Sequence, residues 1–251
     1  MRRRLNKSLQ QAFLPMDHIG LYQISKRLVD IAFSFTLILL LSPLMLLVMV
    51  ILRFTGEGEV FYQQKRIGYK NKTFGIYKFA TMLKDSPNIG TKSITLRNDP
   101  RVTTVGKYLR MSKINELPQL FNVLLGQMTL VGPRPFVDET FAAYPDDVQA
   151  RVYDIPPGLT GVGSIVYRDE EEILSTSDLP PAQCYREVIA PHKGALELWY
   201  QDNRSTLVDL KLLTLTAMSV LYPSSRDLVY RVLPSAPRPE SLAETVASPR
   251  D

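Results

Sequence analysis

The sequence predicts an α+β protein in which a re-entrant membrane helix hairpin precedes a small cytosolic domain of helices and short strands. Three observations support this fold class. An apolar run near the N-terminus has no charged side chain, a segment rich in aromatic and β-branched residues follows it, and apolar residues recur with helical spacing near the middle of the chain. Amphipathic helices on the membrane surface complete the predicted fold.

The apolar run extends from Ile31 to Leu52, about 22 residues, which is enough to cross roughly 30 Å of hydrocarbon. Ser42–Pro43 lies near its middle, where a break would turn the helix back. A single spanning helix with a proline kink is the alternative, since membrane helices tolerate proline. Basic residues flank the run on both sides, and positive residues prefer the cytoplasmic side. The charges therefore favour a hairpin with both ends in the cytosol.

The cytosolic domain begins with a predicted strand hairpin. The segment from Val60 to Phe79 mixes aromatic, β-branched and basic residues and is typical of short strands. The polar segment from Met82 to Pro100 predicts a loop. Thr103 to Met111 predicts a short helix or strand that leads into the next element.

A clearer helix follows. Apolar residues recur at i, i+3, i+4 and i+7 and should share one helix face at Leu117, Leu120, Phe121 and Leu124. Pro118 suits the first turn of this helix, and Gly126 is placed to end it. The pattern therefore predicts a helix over 117–124.

The remaining chain contains a turn, two helices and a tail. Gly132–Pro135 predicts a rigid turn, and Phe136 to Val152 predicts a helix. Asp209 to Leu221 predicts an apolar helix that either packs in the core or lies on the bilayer surface. Past Pro234 the composition predicts disorder. The predicted divisions are an N-terminal lead (1–21), the membrane helix (22–54), the cytosolic domain (55–222) and the tail (223–251).

Composition narrows the function classes. The net charge of +5 favours anionic partners, namely lipid head groups, nucleotides or nucleic acid. A single cysteine, Cys184, excludes an intramolecular disulfide framework and fits a reducing compartment. Gly90–Ser93 lacks the upstream glycine of a phosphate-binding P-loop. The sequence also contains no recognised nucleic-acid fold, which makes nucleic acid the least favoured partner.

Candidate site residues concentrate in the middle of the chain. A diphosphate could be held by guanidinium groups, which match phosphate oxygens, at Arg97, Arg101, Arg110 and Arg134. Asn115 and Glu116 stand at a predicted helix start, where they either serve chemistry or simply cap the helix. The acidic run Asp169–Glu172 could bind a metal ion, although such runs are more often solvated faces.

Several of these residues occur in motifs that, taken in order, resemble the bacterial sugar transferases. The resemblance covers roughly residues 22–222. It rests on Lys26–Asp30, Ser42–Pro43, Val60–Gly68, Ile76–Met82, Asn98–Thr103, Asn115–Pro135 and Pro157–Gly161.

The resemblance implies a monotopic phosphoglycosyl transferase of the bacterial inner (cytoplasmic) membrane, with its catalytic domain facing the cytosol. Such an enzyme transfers a sugar 1-phosphate from a UDP-sugar to undecaprenyl phosphate, releases UMP, and initiates exopolysaccharide or other glycoconjugate assembly. The resemblance also implies a helix broken at Ser42–Pro43, magnesium as cofactor, a covalent phosphosugar-enzyme intermediate, and contact with membrane lipids but not nucleic acid. It leaves open whether the chain forms a homo-oligomer.

The most serious departure of the site from the family pattern is at position 115. The family's nucleophile is the Asp of an Asp-Glu pair, and Asn115 stands in its place. Glu116 matches the pattern, as do the predicted phosphate-binding residues Lys78, Arg110 and Arg134, and Arg101 lies in another matching motif. Three explanations remain open. Glu116 has taken over as nucleophile; another carboxylate, Asp99 or Asp169, approaches the phosphate; or the protein is an inactive relative that scaffolds a glycan-assembly pathway.

Overall fold

The computed structural model describes residues 16–88, 99–221 and 226–239. The P-loop-like segment Gly90–Ser93, the candidate Arg97, most of the N-terminal lead and the end of the tail lie outside these residues. The helices are α1 (Met16–Arg53), α2 (Thr104–Met111), α3 (Gln119–Leu124), α4 (Asp138–Phe141), α5 (Asp146–Arg151), α6 (Val162–Val166), α7 (Glu170–Thr176), α8 (Pro181–Cys184), α9 (Ala190–Asn203), α10 (Thr206–Leu221) and α11 (Arg226–Val232). The strands are β1 (Phe61–Ile67), β2 (Thr73–Phe79), β3 (Thr129–Val131) and β4 (Gly158–Thr160).

The apolar run lies within α1, which begins at Met16, inside the predicted lead. Its portion Gly20–Arg53 is long and apolar enough to cross a membrane, and 17% of its most apolar window is buried against the protein. The helix continues through Ser42–Pro43, so the structure does not show the predicted hairpin reversal. Pro43 has no N–H to donate to the Leu39 carbonyl, and the Ser42 hydroxyl donates to that carbonyl instead, at 2.8 Å. The proline therefore removes one backbone hydrogen bond of the helix, and the serine hydroxyl satisfies the carbonyl that it leaves free.

The first half of α1 is fastened to the globular domain by polar contacts. Arg27 donates to the carbonyls of Val123 and Leu124 at the end of α3, at 2.7 and 2.8 Å. The buried Asp30 carboxylate accepts hydrogen bonds from the Thr129 hydroxyl (2.7 Å) and the Leu130 N–H (3.0 Å). Arg27 and Asp30 of the first motif thus attach α1 to α3 and β3.

The second half of α1 contacts the same domain through apolar packing. Met45, Val48 and Leu52 form a buried cluster with Phe79 of β2 and Leu109 of α2. Residues on both sides of Ser42–Pro43 therefore pack against one globular unit.

We expect the Asp30→Ala substitution to lower the free energy of unfolding by about 2–4 kcal/mol, because it leaves two donors on β3 without an acceptor. Thermal unfolding of the lipid-reconstituted protein measures this loss. Asp30→Asn keeps one acceptor oxygen and should lose less. An Asp30→Ala protein as stable as wild type would show that this contact does not fasten α1.

The predicted strand hairpin is confirmed. β1 and β2 pair antiparallel with Phe61 opposite Phe79 and Gln64 opposite Ile76. A second sheet of two parallel strands, β3 and β4, was not predicted. It carries the Gly132–Pro135 turn directly after β3, and the main core packs around it from α3, α6, α9 and α10.

The helix predicted over 117–124 is confirmed in position, but its predicted apolar face is partly wrong. Phe121 is 39% exposed, whereas the neighbouring Asn122 is fully buried. The Asn122 amide donates to the Gly75 carbonyl (2.8 Å) and accepts from the Tyr77 N–H (3.0 Å). The helix turns toward β2 because this side chain completes backbone hydrogen bonds that the edge strand would otherwise lack.

Other predicted elements also differ in detail. The single helix predicted over Phe136–Val152 is wrong: Pro145 divides the segment into α4 and α5. The helix predicted over Asp209–Leu221 is confirmed as α10, which packs Leu212 and Leu215 in the core and exposes Leu207 and Leu210.

The tail is packed beyond the point where we predict disorder. Ala236 is buried, and His192 Nε2 lies 2.9 Å from the Pro237 carbonyl oxygen. The chain therefore remains attached to α9 as far as Pro237, and Ala236 covers part of the core.

Candidate active site

A cavity of about 1860 Å³ lies between the strand hairpin, α2, the Gly132–Pro135 turn and the segment from α6 to α7. Lys78, Arg110, Asn115, Glu116 and Arg134 all line it. The cavity also reaches α1, which contributes Phe33 and Leu37. Charged groups and the apolar helix therefore meet in one space.

The centre of the site is an ionic cluster around Glu116, which lies in a 3₁₀ turn (Ile114–Glu116) before α3. Glu116 Oε1 accepts a hydrogen bond from Arg134 Nη2 at 3.1 Å and lies 4.0 Å from Lys78 Nζ. Lys78 is near the end of β2, and Arg134 follows β3. Three segments that are distant in sequence therefore supply one carboxylate and two cations.

The backbone after β3 holds Arg134 in place. A side chain at Gly132 would bring a Cβ within 2.7 Å of the Pro156 carbonyl oxygen, so only glycine fits there. The Arg134 carbonyl accepts from the buried Tyr153 hydroxyl at 2.8 Å. These contacts fix the turn and direct its guanidinium toward Glu116.

The electrostatics of the cluster favour an ionised Glu116. Burial would raise the pKa of its carboxyl, but the positive charges of Arg134 and Lys78 outweigh burial and hold that pKa far below its ordinary value. Burial, and next the charge of Arg66, lower the pKa of Lys78 well below its ordinary value. Burial, and next the charge of Arg134, lower the pKa of Arg66 to about 10. Three basic side chains, Arg66, Lys78 and Arg134, surround the single Glu116 carboxylate. This excess of positive charge suits the cluster to binding an anion.

Arg110 reaches the cavity from α2 and is paired with Glu171 of α7 at 2.5 Å. Arg101 is not brought to the cluster. Its guanidinium binds the Asp99 carboxylate at 2.6 Å and donates to the Ser86 carbonyl at 3.0 Å, with 4% of the side chain exposed. Asp99 lines the cavity but is engaged by Arg101, and Asp169 is exposed on the cavity wall.

Asn115 is buried, at 5% exposure, and its side-chain oxygen Oδ1 has no hydrogen-bond partner among the described residues. The described part of the chain contains no group of three or more His, Cys, Asp or Glu residues that could hold a metal ion. Magnesium, however, binds through one or two protein oxygens together with substrate phosphates. The Asn115 amide oxygen beside the Glu116 carboxylate fits that mode of binding.

Sequence reasoning did not identify three charged residues that the structure brings to this site. Arg66 donates to the Pro135 carbonyl at 3.1 Å, Lys113 lines the cavity, and Glu197 accepts from the Arg134 N–H at 3.5 Å. Arg66 lies in a matching motif, and Lys113 is close to Glu116 in the sequence. Their positions in the sequence could therefore have indicated both residues. Glu197 lies on α9 without a local signal, because it reaches the site only through tertiary packing.

We expect Glu197→Gln to stabilise the protein at pH 8 but not near pH 4.5. Burial raises the pKa of Glu197 to about 7, whereas an unfolded glutamate titrates near 4.5. As the pH rises through this window the unfolded state loses the proton first, so stability falls with increasing pH. Glutamine removes this penalty, which should be about 3 kcal/mol at pH 8, and thermal unfolding at the two pH values measures the gain. An equal effect at both would contradict the ionisation argument.

Comparisons with known proteins find similarity over most of the chain. The family model for bacterial sugar transferases matches residues 21–223. The exopolysaccharide production protein ExoY of Sinorhizobium fredii is 38% identical over 212 residues, which are 78% of this chain and 85% of that protein. The undecaprenyl-phosphate glucose phosphotransferase of Komagataeibacter xylinus is 36% identical over 199 residues, 77% of this chain.

Some of the relatives are much longer proteins. The match covers 35% of the Komagataeibacter protein. The undecaprenyl-phosphate galactose phosphotransferase of Salmonella typhimurium is 32% identical over 210 residues, 78% of this chain and 40% of that protein. The family model nevertheless matches most of this chain, including the segments that supply Lys78, Glu116 and Arg134. The chain therefore belongs to the bacterial sugar transferase family.

Proposed function

We propose that the protein transfers a sugar 1-phosphate from a UDP-sugar to undecaprenyl phosphate and releases UMP, as the initiating step of exopolysaccharide or other glycoconjugate assembly. The observation that carries this proposal is the Glu116 carboxyl group held between Arg134 and Lys78 in a cavity that also reaches α1. The cations suit a diphosphate, and the apolar helix gives a lipid-linked phosphate a route to the same cavity.

The chemistry follows from this arrangement. A Glu116 carboxylate oxygen bonds to the phosphorus that carries the sugar, while the bond from that phosphorus to the UMP oxygen breaks and UMP leaves with the electron pair. A phosphate oxygen of undecaprenyl phosphate then attacks the same phosphorus and releases the Glu116 carboxylate. Arg134, Lys78 and Arg110 neutralise the charge that develops on the phosphates. Glu116 is favoured over Asp99 as the nucleophile because it lies among the cations that would bind the diphosphate, whereas Asp99 is paired with the buried Arg101.

Magnesium is part of the proposal as a cofactor. Asn115 Oδ1 and the Glu116 carboxylate would hold it together with oxygens of the donor diphosphate. When bound, it supplies Lewis-acid neutralisation of the diphosphate. An asparagine at position 115 keeps an oxygen ligand there, although it removes the negative charge of an aspartate.

The membrane arrangement that we propose is monotopic, with both ends of the apolar helix on the cytosolic face of the bacterial inner membrane. Both halves of α1 contact the same domain, through Asp30 and Met45 among others, and a straight spanning helix would draw that domain into the bilayer. In the proposed arrangement, exposed apolar side chains of α2 and α10 would also contact lipid, at Tyr108, Met111, Leu207 and Leu210.

A thiol-labelling experiment tests this arrangement. The single native cysteine, Cys184, is buried, so new cysteines at Gly20 and Thr55 can be labelled selectively. We expect a membrane-impermeant reagent to label both positions from the cytosolic side of membrane vesicles. Labelling of the two positions from opposite sides would establish a spanning helix.

The activity is tested by measuring UMP release. Wild type in lipid should release UMP from at least one member of a broad UDP-sugar panel when undecaprenyl phosphate and magnesium are present. A silent wild type would contradict the proposal. If Asn115→Asp were then active, the natural protein would be the inactive relative that scaffolds a pathway.

A further inference from the structure

The cavity has walls of opposite charge. Its cationic wall consists of Lys78, Arg110, Lys113 and Arg134, whereas the first turn of α7 adds an acidic wall, Glu170–Glu172. Glu171 of this wall is already paired with Arg110. Carboxylates repel a diphosphate, so the acidic wall suits a part of the donor that is neutral and donates hydrogen bonds.

Glu170 is the member of this wall whose position is most firmly held. Its Oε2 accepts a hydrogen bond from Lys193 Nζ, and the Lys193 side chain is 4% exposed. The ammonium lies 5.7 Å from the Tyr167 ring, 5.8 Å from the Tyr185 ring and 6.0 Å from the Phe136 ring. A buried cation enclosed in this way needs its carboxylate, so Glu170 is kept in one orientation. Its side chain is 28% exposed, and its other oxygen makes no hydrogen bond among the described residues.

Two further polar atoms lie on this side of the cavity. Ser164 Oγ and Arg168 Nη1 are buried and form no hydrogen bond within the part of the chain that the structure describes. Both residues line the same cavity as Glu170. Buried polar groups are nearly always hydrogen-bonded, so this side of the cavity is suited to a ligand that both donates and accepts.

We propose that Glu170, positioned by Lys193, accepts a hydrogen bond from a hydroxyl of the donor's sugar, and that Ser164 and Arg168 complete the sugar subsite. This inference rests on the proposed function, because it requires a sugar nucleotide with its diphosphate on the cationic wall. A carboxylate only accepts hydrogen bonds, and sugar hydroxyls are neutral donors. Lys193 is buried among three aromatic rings, and its charge holds the Glu170 carboxylate at the cavity. The stability of α7 alone does not require this charged pair.

Binding measurements separate the sugar from the nucleotide. Calorimetry on the full chain in lipid, in the Glu116→Gln background that we expect not to consume the donor, compares UDP with UDP-glucose, UDP-galactose and their N-acetyl forms. We expect Glu170→Gln to weaken the preferred UDP-sugar about ten- to one hundredfold and to leave the Kd of UDP unchanged. An equal loss for UDP and UDP-sugar, or no loss for either, would overturn the subsite.

Two other variants distinguish a loss of sugar binding from a folding defect. Ser164→Ala removes an atom that has no hydrogen-bond partner among the described residues. It should therefore weaken the binding of UDP-sugar only and leave the thermal unfolding temperature unchanged. Combining Glu170→Gln with Lys193→Met removes the buried charge that the single change leaves unpaired, and should show the same selective loss. Glu187→Gln is the matched control, since Glu187 is exposed, pairs with Gln183 and does not line the cavity.

The proposed function and the subsite fail in different ways. A wild type that binds UDP-sugars but releases no UMP contradicts the transferase, whereas the effect of Glu170→Gln on UDP-sugar relative to UDP still decides the subsite. A wild type that binds none of the UDP-sugars in the panel overturns the subsite.

Discussion

The Glu116→Gln variant is expected to release UMP at least about a thousandfold more slowly than wild type. Glutamine preserves the shape of the side chain but removes the ionised oxygen that would attack phosphorus. It also removes the partner of Arg134 and Lys78, at 3.1 and 4.0 Å. The measurement is steady-state UMP release with undecaprenyl phosphate and magnesium, using the UDP-sugar that wild type prefers.

Substitution of Asn115 provides the comparison for this result. Asn115→Ala removes the buried amide oxygen but leaves Glu116 unchanged, so it should retain more activity than Glu116→Gln. Asn115→Asp restores the carboxylate of the family pattern and tests whether the neighbouring position can also act. If Glu116→Gln kept wild-type activity, Glu116 would not be the nucleophile, and Asp169 would become the carboxylate to test.

The Arg134→Met variant is expected to lower UMP release about one hundred- to one thousandfold, mainly through kcat. Its guanidinium donates a hydrogen bond to Glu116. In the proposed mechanism it would neutralise the charge that accumulates on the transferred phosphate. Methionine keeps most of the side-chain volume and leaves the backbone contacts of the turn intact. Release rates over a range of donor concentrations separate kcat from KM.

Two control variants show whether the guanidinium itself is responsible. Arg134→Lys keeps the charge without the planar fork of donors, and should recover part of the loss. Arg151→Met removes an exposed arginine that pairs with Asp202 outside this cavity, and should leave the activity unchanged. An Arg134→Met enzyme with normal kcat and a raised KM would instead assign Arg134 to ground-state binding.

Local patterns accounted for much of the secondary structure. The aromatic and β-branched residues of Val60–Phe79 predicted the strand hairpin, and the helical spacing over 117–124 predicted α3, because composition and spacing are properties of neighbouring residues. The same reasoning misassigned the face of α3, since the buried position of Asn122 depends on the edge of β2. It also extended one helix across Pro145, where two short helices form.

Among the site residues, the ordered motifs led to Lys78, Glu116, Arg110 and Arg134, all of which line one cavity in the structure. They also led to Arg101, which forms a buried pair with Asp99 instead. An arginine in a motif can bind a ligand or a neighbouring carboxylate, and the residue type is the same in both cases. The choice depends on what lies beside it in three dimensions.

The sequence by itself determined the apolar helix, the strand hairpin, the α3 helix and the family, because each depends on short-range periodicity or on the order of motifs. Only the tertiary structure revealed that both halves of α1 contact one domain, and that Lys193 and Glu197 of α9 lie behind the Arg134 turn. Those contacts join residues distant in the chain, and their energies come from burial and charge pairing. No local pattern encodes such contacts, since they exist only after the chain has packed.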